Sequence, residues 1–264
     1  MDPKEFIAEG EIMKKLSHDN IVRLHAIFAE REPILIVMEH MHHGSLLKYM
    51  EVDIFVLEKQ QKLETTDLMR LSAQIASGMA YLESMQYVHR DLAARNVLVG
   101  EDNVAKVADF GMARFVESKG VYESSKRGLF PVRWTAPEVI ICNNHTIKSD
   151  VWSYGILLTE VVTRGGQVPY PDIRSNDEVI RRVTRGHRMS SPPNCPPKVY
   201  DIMNQCWHKN PEKRPSFQNL TETVSKLAES AVVENRTAIP PRQPSSRITS
   251  LIQMMFGKNP VEYE

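Results

Sequence analysis

His89-Arg90-Asp91-Leu92-Ala93-Ala94-Arg95-Asn96 and, a little further on, Asp109-Phe110-Gly111 are the stretches on which the reading of this chain turns. Between them lie two apolar runs, Val97-Leu98-Val99 and Val104 to Val107, separated by Gly100-Glu101-Asp102-Asn103. Apolar runs around a Gly/Asx cluster predict a β-hairpin. The first polar stretch enters that hairpin and the second leaves it. Asp91, Asn96 and Asp109 are thereby brought close together without any long-range assumption. Asp91 offers a carboxylate able to accept a proton, and Asn96 and Asp109 offer the hard oxygens that magnesium takes.

Working outward, Thr65-Thr66-Asp67 reads as a helix start, with Leu68, Leu71, Ile75, Met79 and Leu82 following at helical spacing. Upstream, Phe6, Ile12, Met13 and Leu16 mark a helical face over residues 3–16. Ile21–Phe28 and Ile34–Met38 read as two strands joined by the polar turn Glu30-Arg31-Glu32-Pro33. A short helix is expected around Leu46–Met50 after Gly44, and loop over 51–64. Downstream, Ser149-Asp150 reads as the cap of a helix over Val151–Thr163. Its residues are apolar nearly all round, so it should be a buried central helix ended by Gly165-Gly166. Further helices are expected at about 176–185, 197–207 and 216–229. Past residue 231 the composition shifts: Pro240-Pro241-Arg242-Gln243-Pro244-Ser245-Ser246 reads as an extended linker. Ile248, Leu251, Ile252 and Met255 then suit one short amphipathic helix.

The 264 residues are 42% hydrophobic and 25% charged, ordinary values for a soluble globular chain. Lys and Arg, 33 together, balance 33 Asp and Glu, so charge gives no argument for nucleic acid as a partner. Cys142, Cys195 and Cys206 show no metal-ligand spacing and read as reduced thiols of a cytoplasmic protein. No apolar run approaches the roughly 20 residues of a membrane helix, and the N-terminus lacks a signal-peptide core.

With Ala136-Pro137-Glu138 downstream, the ordered set is similar to the signature of protein kinases. From Glu5 to about Leu227 the chain resembles a protein tyrosine kinase catalytic domain, in detail the cytoplasmic, Src-related non-receptor type. That resemblance implies an α+β, protein kinase-like fold. It would comprise an incomplete small lobe over 1–41 (one helix and about two strands), an intact, mainly helical large lobe over 42–230, and a flexible tail over 231–264. It implies transfer of the ATP γ-phosphate to tyrosine hydroxyls of protein substrates, with Mg2+ or Mn2+. In this reading Asp91 accepts the hydroxyl proton, Arg95 supplies the loop's cation, and Asn96 and Asp109 hold the metal.

Tyrosine rather than serine/threonine specificity rests on particular positions. Serine/threonine kinases usually carry Lys where this chain has Ala93, and the order Ala93-Ala94-Arg95 is a tyrosine-kinase pattern. Many Src-family members use Arg-Ala-Ala instead, so the subfamily stays open. Phe130-Pro131-Val132-Arg133-Trp134 resembles the shelf that supports the acceptor phenol. For the nucleotide, the resemblance makes Met38 the gatekeeper, with backbone groups of Glu39 and Met41 at the adenine edge and Leu98 on its floor. Tyr122 resembles the autophosphorylation site. A phosphate there adds about −1.5 to −2 charge, with Arg90 and Arg114 as its partners. Met13, Leu24, His89 and Phe110 match the stacked residues that link the lobes. Glu138 should pair with Arg214, and Asp150 should accept backbone hydrogen bonds from the catalytic loop.

The sequence contains no Gly-x-Gly-x-x-Gly and no Val-Ala-x-Lys. Glu9 matches the helix Glu that should hold the missing Lys. The resemblance therefore implies that the chain begins inside the small lobe, after its first three strands. Met1 would then be an internal methionine of a longer protein, or the product of an incomplete gene model or an alternative start. Two consequences are expected: an unpaired sheet edge, and loss of the phosphate lid and one phosphate-binding cation, with transfer impaired or abolished. The alternative to a working kinase is a catalytically inactive truncated kinase acting as a binding or competing module. In the tail, Pro241-Arg242-Gln243-Pro244 is a weak SH3-docking signal. The acidic-flanked Tyr263 does not match the inhibitory tail of Src kinases.

Overall fold

The computed structural model describes the backbone of residues 7, 10–31, 33–55, 63–115 and 131–237, and their side chains except at 52–55, 114–115 and 231–237. Residues 10–13 are helical and bury Met13. β1 (Leu24–Phe28) and β2 (Leu35–Met38) form an antiparallel pair in which Leu24 faces Met38 and Phe28 faces Leu35. The first strand is shorter than the expected Ile21–Phe28. Ile21 and Val22 are buried and turn away from the sheet, towards the central hairpin. Phe28, Leu35, Val37 and Met38 are all exposed on this sheet.

The segment before β1 fastens the sheet to the helical bulk. Val22 N–H donates to the Val107 carbonyl at 3.0 Å, and Val107 N–H donates to the Asn20 carbonyl at 2.9 Å. Asn20 Nδ2 also donates to the Ala105 carbonyl at 3.0 Å. Gly78 permits this approach: a Cβ there would lie 2.5 Å from the Asn20 carbonyl oxygen, closer than real contacts allow.

β3 (Gly44–Ser45) leads into α1 (Leu46–Phe55). The expected loop over 51–64 is thus helical through Phe55, as the lack of Gly or Pro in Leu46–Phe55 permits. α2 (Thr65–Ser84) starts at a capping box in which Glu64 and Asp67 satisfy each other's backbone N–H groups. β4 (Tyr87–Val88) pairs with β7 (Arg114–Phe115), two short strands that composition alone does not reveal. β5 (Val97–Val99) and β6 (Ala105–Val107) are the central hairpin, with β3 on its outer edge. Its turn holds Asp102 and Asn103 in the left-handed region, at φ 55 and 57.

After α3 (Pro137–Cys142) comes α4 (Ile147–Val162), in which every residue from Ser149 to Val161 is buried. It starts earlier than expected. Thr146 is the N-cap, and Ser149 is the third helical residue, returning a hydrogen bond to the Thr146 N–H at 3.1 Å. Asp150 is therefore not a cap; it lies inside the helix, with its carboxylate free for another partner. Gly155 lets α4 meet α6 (Pro197–Cys206): a Cβ there would sit 2.6 Å from Trp207 Nε1 and 2.8 Å from Cys206 Cβ. Tyr154 reaches across to α2, its hydroxyl donating to the Ser72 carbonyl at 2.9 Å. α5 (Asn176–Thr184) lies between α4 and α6 in the chain. α7 (Phe217–Thr237) runs beyond the expected residue 229 and packs along α2.

Candidate active site

The loop from His89 to Asn96 is held from below by α4. Both oxygens of Asp150 accept loop backbone N–H groups, Oδ2 from His89 at 2.7 Å and Oδ1 from Arg90 at 3.0 Å. The His89 ring is fully buried. Its Nδ1 accepts the Asp91 N–H at 3.2 Å, so the proton sits on Nε2, which donates to the Ala108 carbonyl at 3.0 Å. Ala108 N–H in turn donates to the Asn96 carbonyl at 2.9 Å. Both ends of Ala108 are thus bonded to the loop, which sets the next residue, Asp109, against it. Asp109 adopts φ 61 and its side chain is exposed.

Burial first, against the opposing pull of His89, Arg90 and the two backbone bonds, pushes the pKa of Asp150 up to about 6. A raised pKa means the folded chain holds the proton more tightly than the unfolded one. Ionising Asp150 therefore costs stability as pH rises from the unfolded value of 3.8 to about 6, and nothing further above that. In urea titrations, the stability difference between wild type and Asp150→Asn should shrink by ~3 kcal/mol across that window and stay flat from neutral to mildly alkaline pH. An unchanged difference throughout would rule this out.

Asp91 is held by two side chains from its own loop. Arg95 Nη2 pairs with Oδ1, and Asn96 Nδ2 donates to Oδ2 and to the Asp91 carbonyl, each at 2.8 Å. The Asn96 amide nitrogen is committed to Asp91, which leaves its Oδ1 for an ion. With the exposed Asp109 carboxylate this gives one carboxylate and one amide oxygen. Such a hard, sparse donor set would fit a divalent cation that takes its other ligands from water. Among the described residues no cluster of three or more His, Cys, Asp or Glu could hold a metal without such help.

Beside the loop, Pro131–Trp134 forms a single turn, closed by Trp134 N–H and Thr135 Oγ1, both donating to the Pro131 carbonyl at 2.9 Å. The guanidinium of Arg95 lies 4.6 Å above the Trp134 ring. Arg133 is wrapped by the following segment: its Nη1 donates to the Pro169 and Tyr170 carbonyls, at 2.6 and 3.1 Å, and its Nη2 to that of Ile173 at 2.8 Å. Behind the turn stands Glu160, buried in α4, which accepts from Trp134 Nε1 at 2.9 Å.

Of the residues expected at the nucleotide, Met38 ends β2 and is 44% exposed. Met41 is buried and approaches Gly100, and Leu98 is half-buried opposite Lys106 in the hairpin. The Glu39 side chain is not free: Lys106 Nζ donates to its two oxygens at 3.0 and 2.7 Å, and Arg23 N–H to one of them at 2.6 Å.

Met13 and Phe110 are buried in one continuous apolar cluster, with Leu24 partly buried against it, and His89 is buried beside them. The His89 and Phe110 ring centroids are 5.5 Å apart. Glu138 and Arg214 form a two-pronged ion pair at 2.6 and 2.8 Å. Arg90 adopts φ 73 and lies near His145, whose pKa is pushed down to about 4 by burial first and then by Arg90. Glu9, Tyr122, the Arg114 side chain, the 240–246 linker and the tail pattern lie outside the described residues.

Sequence reading missed Lys106, the cradle around Arg133, and Glu160. The signal for Glu160 was present: it is a carboxylate inside the largely apolar run from Val151 to Val162. Among the described residues no helix is long and apolar enough to cross a membrane. A family model described as protein tyrosine and serine/threonine kinase matches residues 1–224.

Proposed function

This chain belongs to the protein tyrosine and serine/threonine kinase family, and from that premise we propose that it transfers the γ-phosphate of ATP to tyrosine hydroxyls of protein substrates, as a non-receptor tyrosine kinase. Protein kinase domains use ATP and a divalent metal, which together supply the phosphoryl donor and neutralise its charge. The chain's own part is positioning. The acceptor oxygen bonds to the γ-phosphorus as the bond to the β–γ bridging oxygen breaks. ADP leaves, and the hydroxyl proton passes to Asp91, each of whose oxygens keeps a lone pair beyond its bond to Arg95 or Asn96.

One observation carries the tyrosine reading. The cation beside Asp91 is Arg95, reaching back from four residues along the loop and stacked on Trp134. The position two after Asp91, which holds Lys in serine/threonine kinases, is here a small, fully buried Ala93. That leaves Asp91 approachable from the shelf side, where a flat phenol ring would rest.

The test is a mixed peptide carrying Tyr, Ser and Thr, incubated with labelled ATP and Mg2+ and with the chain in excess so that one slow turnover is visible. Label on tyrosine alone is the expected result. Label on serine or threonine alone would overturn the specificity, and no label on any residue would overturn the activity.

A further inference from the structure

Glu160 is 4% exposed, in a helix whose buried residues are mostly apolar and whose other buried carboxylate is Asp150. A lone buried carboxylate is costly, and an apolar residue of similar size would serve packing better. What it does instead is join two separate segments. Its Oε2 accepts the backbone N–H of Ala94, in the catalytic loop, at 3.0 Å, and the Nε1–H of Trp134, on the turn beside it, at 2.9 Å. The Trp134 ring carries the Arg95 guanidinium, and Arg95 pairs with Asp91. The contacts therefore close a circuit: from Glu160 through Trp134 and Arg95 to Asp91, and back along the loop to Ala94. Burial, first, raises the pKa of Glu160, while the bonds from Trp134 and Ala94 and the charge of Arg95 oppose that rise.

We propose that Glu160 is a positioning residue for phosphoryl transfer, setting the distance between the catalytic loop and the Pro131–Trp134 shelf and acting on Asp91 through Trp134 and Arg95. The proposal rests on the kinase reading of Asp91. It concerns the acceptor side of the site only, because neither Ala94 nor Trp134 belongs to the residues assigned to the nucleotide. A loop released from Glu160 should misplace Asp91 relative to the acceptor hydroxyl while leaving ATP binding as it was.

Two variants and two readouts test this. Glu160→Gln keeps an accepting oxygen, and Glu160→Ala removes it. In single-turnover transfer to a tyrosine peptide, Glu160→Ala should lose about 100-fold in rate, the cost of a displacement on the order of 1 Å. Glu160→Gln should stay within about threefold, since its amide oxygen still accepts both bonds, and ATP affinity should be the same in all three proteins. A role in folding alone would lower the melting temperature of Glu160→Ala and leave the transfer rate of its folded fraction unchanged, which would overturn the proposal. So would a Gln variant as slow as the Ala variant.

The second readout needs no activity: hydrogen exchange of the Trp134 indole N–H, followed by NMR. It should be slow in wild type and Glu160→Gln. It should be at least about tenfold faster in Glu160→Ala or, if that variant does not fold, in Glu160→Met, because the donor is then left without its partner. Equal exchange in wild type and the apolar variant would sink the circuit. If wild type transfers no phosphate, the proposed function has failed, and the indole exchange still decides whether Glu160 holds the shelf.

Discussion

Asp91→Asn should nearly abolish phosphoryl transfer while leaving the fold and ATP binding unchanged. The amide is the same size as the carboxylate and keeps one oxygen for Arg95. What it lacks is a site basic enough to take the hydroxyl proton as the new P–O bond forms. A positioned general base contributes about 100- to 10,000-fold, so single-turnover transfer to a tyrosine peptide should fall by that range. The Asn variant also turns an N–H2 group towards Asn96 Nδ2, which now donates to Asp91 Oδ2 at 2.8 Å. That local clash is expected to shift the melting temperature only slightly, because Asp91 is not part of the apolar core. A variant retaining a tenth or more of the wild-type rate would remove Asp91 from the role of base. Arg95→Ala serves as the comparison: it deletes the charge beside Asp91 and leaves the base itself, so its loss should be smaller.

What could be read from the sequence was whatever is local in the chain. Asp91, Asn96 and Asp109 flank one hairpin, and the structure fixes that proximity through the two bonds to Ala108. The buried character of α4 followed from its composition, but its start did not. A Ser-Asp pair looks like a cap, and only the Thr146 side chain decides that the helix begins earlier. Long-range polar contacts were legible only where the kinase resemblance supplied them, as for Asp150 and for Glu138 with Arg214. Where it was silent they were missed. Glu160 with Trp134, Lys106 with Glu39, and Arg133 with the Pro169–Ile173 carbonyls are each made by residues far apart in sequence, with no periodicity to betray them.

Arg214→Ala should be the most destabilising single substitution among the polar residues of the helical part. Arg214 is 2% exposed and makes four kinds of contact at once. Its two terminal nitrogens pair with the two oxygens of Glu138, Nη1 also donates to the Lys148 carbonyl at 2.7 Å, and Nε donates to the His208 carbonyl at 3.1 Å. Its guanidinium also lies 5.2 Å from the centre of the Trp152 ring. Truncation leaves the Glu138 carboxylate without its partner and takes one donor from each of the Lys148 and His208 carbonyls. Breaking a buried pair in this way costs about 3–5 kcal/mol, and urea unfolding should show a loss of that size. Arg214→Lys should recover only part of it, because an ammonium cannot meet both carboxylate oxygens in one plane. The pair should also be non-additive: removing Glu138 together with Arg214 should cost less than the sum of the single losses, since the second deletion removes a charge the first had stranded. The consequence reaches the site. Glu138 stands in the first turn of α3, directly after the Pro131–Trp134 shelf, and Arg214 ties that turn to the start of α4 through Lys148. A chain that unfolds in urea as wild type does after Arg214→Ala would show that the shelf is anchored elsewhere. A loss of about 3 kcal/mol or more, with faster exchange at the Trp134 indole, would show that the ion pair and Glu160 hold the same shelf from its two ends.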